Sequence, residues 1–98
     1  MKIENLLPIG SVVRLTDAKK KVVIMGIMPV KHMPDGEDII YDYLGVPYPE
    51  GYMTQETGLL FNHDKIDEII FEGYANEERK LFMQTIQQIV DVTDKVVK

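Results

Sequence analysis

Ninety-eight residues can bury one modest core, and a split into two domains would leave neither half with one, so a single domain over 1–98 is expected. An apolar fraction of 45% and a charged fraction of 28% sit near globular averages and argue against a disordered or fibrous chain. The net charge of -5 argues against nonspecific attraction to nucleic acid or anionic lipid, and the absence of cysteine excludes disulfides, zinc-thiolate sites and thiol nucleophiles.

Residues 11–15 (Ser-Val-Val-Arg-Leu) are β-branched and lead through a polar stretch at 16–20 into a second β-rich run at 21–30, the pattern of a hairpin. The basic run Lys19, Lys20, Lys21 falls at its tip, where charge is commonly solvated. Gly26 within the second run predicts a bulge or a close backbone crossing, and Pro29 predicts a strand end. Pro34, Asp35 and Gly36 predict a turn: proline presets φ, aspartate bonds nearby amides and glycine accepts positive φ. Residues 39–46 read as a third strand, with Ile40, Asp42 and Leu44 on one face, Ile39, Tyr41 and Tyr43 on the other, and Asp42 marking a wetter spot. The prolines at 47 and 49 break that run into an ordered turn or loop.

A short apolar segment at 58–62, a polar helical turn at 63–67 and a further strand at 68–72 complete the β-rich region, 1–74. From Asn76 the apolar period changes to about 3.6, which predicts a C-terminal helix over 76–97 with Phe82, Ile86, Ile89, Val90, Thr93 and Val97 along one stripe. Asn76 suits the N-cap, Glu77 and Glu78 the positive end of the helix dipole, and Lys95 and Lys98 the negative end. Strands first and one helix last give an α+β class: a small antiparallel sheet or partly open barrel of four to five strands, with the helix packed on it.

Chemistry finds little purchase. His32 and His63 lack a second histidine at helical spacing. His63 and Asp64 with Asp67 form the one conceivable cation set, against the simpler reading of a capped polar turn. The glycines do not form a phosphate loop, and Ser11, the only serine, lies outside any nucleophile-elbow pattern. The expectation is a protein without catalytic residues, metal or cofactor. The residual enzymatic alternative is a small hydrolase or metal enzyme built on His63 and Asp64. Apolar runs such as 21–28 end well short of the roughly 20 residues of a membrane span, and the N-terminus lacks the pattern of a signal peptide, so the expected address is cytoplasmic.

What stands out is a cluster of tyrosine and proline. Tyrosine offers large amphipathic area at low entropic cost, and proline stiffens the loop that presents it. Tyr43, Val46, Tyr48, Pro49 and Tyr52 are therefore candidate partner-binding residues, joined by Leu81 if the helix is apolar around more than half its girth. For Tyr41 and Tyr43 the alternative is that the rings cover the sheet. The methionines fit either a core or an interface.

Four segments carry a family resemblance: 6–13 (Leu-Leu-Pro-Ile-Gly-Ser-Val-Val), 41–51 (Tyr-Asp-Tyr-Leu-Gly-Val-Pro-Tyr-Pro-Glu-Gly), 61–63 (Phe-Asn-His) and 66–74 (Ile-Asp-Glu-Ile-Ile-Phe-Glu-Gly-Tyr). Together they resemble the domain-of-unknown-function family 4176 of Gram-positive bacteria, from Leu6 into the early helix. The resemblance implies an accessory, chaperone-like protein that binds an LXG-domain toxin before its export by type VII secretion, and it transfers no catalytic residues. Tyr74 with Glu78 and Tyr52 with Glu56 match a type VII export signal, but neither follows the helical hairpin that signal requires, so the chain reads as a helper and not as cargo. The other readings are a regulatory module of the secretion machinery that binds a peptide by strand addition, and an immunity protein. The sequence leaves self-association open.

Overall fold

The β-branched residues near the start pair with one another. In the computed structural model, which describes residues 5–97 and the side chains of 5–92, β1 (Val12–Leu15) and β2 (Lys21–Ile27) form an antiparallel hairpin. Val13 lies opposite Val22 and Arg14 opposite Lys21. Ala18 N–H donates to Leu15 O to close the turn, and Asp17 takes φ 62°, a left-handed conformation that aspartate tolerates better than most residues.

Beyond β2 the chain departs from the expected continuous strands. Met28 adopts φ 53° and turns the backbone, so the run expected at 21–30 divides, and β3 (Val30–His32) pairs with β4 (Asp38–Ile40) in a separate two-stranded ladder. The strand expected at 39–46 divides at the same level, with Tyr41 and Asp42 lying between β4 and β5 (Tyr43–Pro47). Met28 N–H donates to Asp42 O and Tyr41 N–H to Pro29 O, and these two bonds join the ladders end to end. Pro29, expected to end a strand, lies in the break after β2, and Asp42 lies at the matching break before β5. The 34–36 turn forms as expected. Gly36 takes φ 89° and donates to Met33 O, and Asp35 Oδ1 accepts Glu37 N–H at 3.0 Å.

With β6 (Leu59–Phe61) and β7 (Ile66–Phe71), the main sheet has five antiparallel strands in the order β6-β5-β2-β1-β7. The sheet stays open, with β6 and β7 as its edges. The expected bulge is present as a register shift between Ile24 and Gly26 against β5. Pairing puts Val13, Val22, Ile24, Tyr43 and Phe61 on one face, and all five are buried. The class is α+β.

The described chain forms two compact units, one being Leu7–Tyr74 and the other comprising α1 (Glu77–Val97) with residues 5–6 and 75–76. Asn76 is the N-cap: its Oδ1 accepts Arg79 N–H at 3.1 Å, and its carbonyl accepts Lys80 N–H at 3.0 Å. Glu77 and Glu78 occupy the first turn. The expected apolar stripe is corrected. Ile86 and Val90 of that stripe are half-buried, but Phe82 and Ile89 are more than half exposed, and Met83, outside it, is the buried residue among the described helix side chains. Arg79, one turn before Met83, donates to Leu6 O at 2.8 Å, so the side of the helix that meets residue 6 is rotated about one position from the one the periodicity marks. The side chains of Thr93, Lys95 and Val97, and all of Lys98, lie outside the described residues.

Gly45 is where the core face can least accept a side chain. A Cβ there would stand 2.4 Å from Val22 Cγ1, 3.0 Å from Phe61 Cε1 and 3.1 Å from Val23 O. Replacing glycine lowers unfolded-chain entropy, a gain of about 0.4–1 kcal/mol, but overpacking costs about 1–3 kcal/mol and one of these contacts is backbone. Gly45→Ala is expected to lower the urea midpoint by a net loss of about 1–2 kcal/mol.

Candidate functional site

Tyr43 begins β5 and has no exposed surface. Its ring packs against Phe61 and His63 at centroid distances of 5.3 and 5.7 Å. Its hydroxyl accepts Leu7 N–H at 2.8 Å and is hydrogen-bonded to His63 Nδ1 at 2.6 Å. Immediately before it, Asp42 N–H donates to Asn62 Oδ1, and Asp42 Oδ2 accepts His63 N–H at 2.8 Å. The wetter position expected at Asp42 is therefore a clasp between the start of β5 and the residues following β6. Tyr43 and His63 hold segments of the chain together, and Tyr43 offers no surface to a partner. Val46 is buried as well.

The other candidate residues on this unit lie past the end of β5. Gly51 takes φ 75°, and its N–H donates to Pro47 O at 2.7 Å, closing a turn around a cis Tyr48–Pro49 peptide. Tyr48 N–H donates to Lys21 O at 2.9 Å, and Lys20 Nζ meets Glu50 Oε1 at 2.6 Å, so the loop is tied to the β1–β2 hairpin at two points. The loop is ordered, yet it turns its side chains outward. Tyr48 is 49% exposed, Tyr52 58% and Met53 71%, and Pro49 is exposed too. Leu81 is exposed on α1, in the other unit.

The structure thus separates the candidate set in three: Tyr43 and Val46 in the core, Tyr48, Pro49 and Tyr52 on one loop, and Leu81 on the helix. Sequence reasoning missed Met53 as a member of the loop surface and Lys20 as its tether. The basic run at 19–21 was the available signal for the tether, but pairing across 29 residues of chain is invisible without the fold.

Electrostatics at the loop follow from the tether. The Lys20 hydrogen bond, aided by Glu50's own backbone N–H, holds the Glu50 carboxyl below its ordinary value of 4.5. Past the loop, Glu56 is lowered too, by its own N–H first and then by Thr54. Ser11, Asp67 and His32 are engaged structurally, and Asp64 is exposed. Ser11 is buried, donates to Pro8 O at 2.6 Å and accepts Gly73 N–H at 2.9 Å. Asp67, the outer member of the conceivable cation set, lies 3.0 Å from Arg14 Nη2, and Arg14 also bonds Glu68. His32 Nδ1 lies 2.8 Å from Asp38 Oδ1 on the β3–β4 ladder. Among the described residues no group of three or more histidines and carboxylates is placed to hold a metal ion, and no helix is long and apolar enough to cross a membrane.

The family model described as a domain of unknown function, DUF4176, matches residues 6–82. The chain belongs to the DUF4176 family. The matched stretch takes in the Tyr43 clasp, the 47–53 loop and the first turns of α1. No curated protein and no solved structure matches this DUF4176 chain.

Two outcomes test this geometry. Tyr43→Phe keeps the ring but leaves the buried Leu7 N–H without its acceptor, and is expected to cost about 1–3 kcal/mol in chemical denaturation; His63→Ala, at an exposed partner, should cost less, about 0.5–1.5 kcal/mol. The Glu50 tether is fully present above the carboxyl's ordinary value of 4.5 and is lost as pH falls through its lowered value. An NMR titration should therefore place the Glu50 midpoint below 4.5 in the native chain and move it back toward 4.5 in Lys20→Ala.

Proposed function

We propose that this DUF4176 protein is a non-catalytic accessory factor that binds an LXG-domain toxin before export by a Gram-positive type VII secretion system, with the 47–53 loop as the contact surface. The observation that carries the reading is the contrast within one region of the chain. Tyr43 and His63 are committed to internal hydrogen bonds, while Tyr48, Pro49, Tyr52 and Met53 are held outward on a backbone fixed by hydrogen bonds at Gly51 and Lys21. A preformed loop bearing large, two-torsion aromatic side chains loses little entropy on binding. In such a complex the protein covers an apolar segment of its client and limits aggregation before export. The resemblance of the four segments at 6–13, 41–51, 61–63 and 66–74 supports the reading through the association with LXG toxins that it implies.

Strand addition at the sheet edge, the regulatory alternative, is disfavoured at β7. Its pairing with β1 shifts register between Val12 and Val13 and again between Arg14 and Leu15, and such irregularities twist an edge away from a new strand.

Coexpression with an LXG-domain toxin, followed by pull-down and light scattering on a sizing column, tests the proposal. The expected result is a stable complex that Tyr48→Ala, Tyr52→Ala weakens by about 2 kcal/mol or more, the usual loss at interface anchors. A complex indifferent to that pair would move the contact to the helix or a sheet edge. No complex with any domain of the toxin would end the accessory reading.

A further inference from the structure

The two ties that order the loop also set it beside the tip of the β1–β2 hairpin. Tyr48 is bonded through its backbone to Lys21 and Glu50 through its side chain to Lys20. The run Lys19, Lys20, Lys21 therefore adjoins the loop at Tyr48 and Glu50, and the exposed Pro49, Tyr52 and Met53 follow within three residues of those ties. In a chain with 16 acidic and 11 basic residues, three of the basic ones gather at this corner. Glu50 neutralises Lys20, and Lys19 and Lys21 remain exposed, with Asp17 the acidic residue nearest them in the hairpin turn. Against a net charge of -5 the corner is a local reversal of sign beside an apolar, aromatic surface.

We infer that the occupant of this corner is an acidic linear peptide segment of a partner protein, one that interleaves Asp or Glu with proline or aromatic side chains. The inference rests on the proposed docking role of the 47–53 loop and specifies the partner's chemistry. Carboxylates of the segment meet Lys19 and Lys21, and its apolar residues cover Tyr48, Tyr52 and Met53. Charge at such a rim acts mainly on orientation and association rate, and it sets partner choice: a basic segment gains the apolar contact but meets the lysines. A nucleic acid strand shares the negative charge, but phosphate-driven binding needs many cationic contacts along a backbone, and the rest of this chain repels it.

The test selects random short peptides by display on the intact protein, then measures a synthesised winner by fluorescence anisotropy, with a single-stranded oligothymidine as the competing probe. The expected winners carry more Asp and Glu than Lys and Arg together with proline or an aromatic. Their binding should weaken with added salt and fall about tenfold with Lys19→Glu, Lys21→Glu. Both lysines are exposed, and a circular dichroism melt of that variant checks that the fold is kept. Neutral or basic winners, no enrichment, binding indifferent to the charge reversal, or tighter binding of the oligothymidine would each overturn the inference. Loss of peptide binding with Tyr48→Ala, Tyr52→Ala but not with the charge reversal would leave the loop as the docking surface and remove the acidic occupant. Winners unaffected by either pair would remove the loop itself.

Discussion

A phenol is buried in the sheet unit, and burying its hydroxyl is tolerable only because it is bonded. Tyr43 is the largest of the fully buried side chains among the described residues, and its oxygen would carry a desolvation penalty of about 1–3 kcal/mol without partners. Leu7 N–H and His63 Nδ1 supply them, from positions 36 and 20 residues away. That single side chain therefore fixes how the entering segment, β5 and the residues after β6 come together. The Asp42 clasp to Asn62 and His63 repeats the constraint one residue earlier. Ser11 does the same at the other side of the sheet, where Gly73 passes so close to Ile9 that a Cβ would lie 2.2 Å from its carbonyl oxygen.

While the start of β5 is pinned, the residues past its far end present exposed side chains. The strand leaves the core at Pro47, the backbone is held through Gly51 and Lys21, and the side chains that follow have no internal role large enough to bury them. Rigid support and outward display are joined in one segment of a dozen residues. Such an arrangement lowers the entropic cost of recognition, which matters most for a chain too small to devote an extended surface to it. The helix unit is organised differently, with Met83 and Arg79 on its engaged side and Leu81, Phe82 and Ile89 in solvent.

Local chemistry was legible in the sequence, and relations between distant segments were not. The β1–β2 hairpin, the Gly26 bulge, the 34–36 turn and the Asn76 cap each follow from residues within a few positions of one another, and each is present. Pro29 signalled that the second run ends, but the division of the third at Tyr41 and Asp42 goes with hydrogen bonds to Met28 and Pro29 on the other run, which no pattern along the third run encodes. The helix shows the same limit. Its period was readable and marked Ile86 and Val90, which are half-buried, but it did not mark Met83 or the bond of Arg79 to Leu6, 73 residues away. At the candidate site, strand position already offered the sheet-covering reading for Tyr43 and set it apart from Tyr48 and Tyr52. Its hydrogen-bond partners Leu7 and His63, and the approach of Lys20 to Glu50, come only from the fold.

The central claim is that recognition uses the preformed loop after β5. Hydrogen exchange measured on the protein alone and mixed with the proposed partner, an LXG-domain toxin, tests it most directly, because it reads the backbone amides without altering a side chain. The account predicts slowed exchange concentrated at 46–53 and at the hairpin tip that supports it. Protection confined to α1 or to β7, with the loop unchanged, would contradict it.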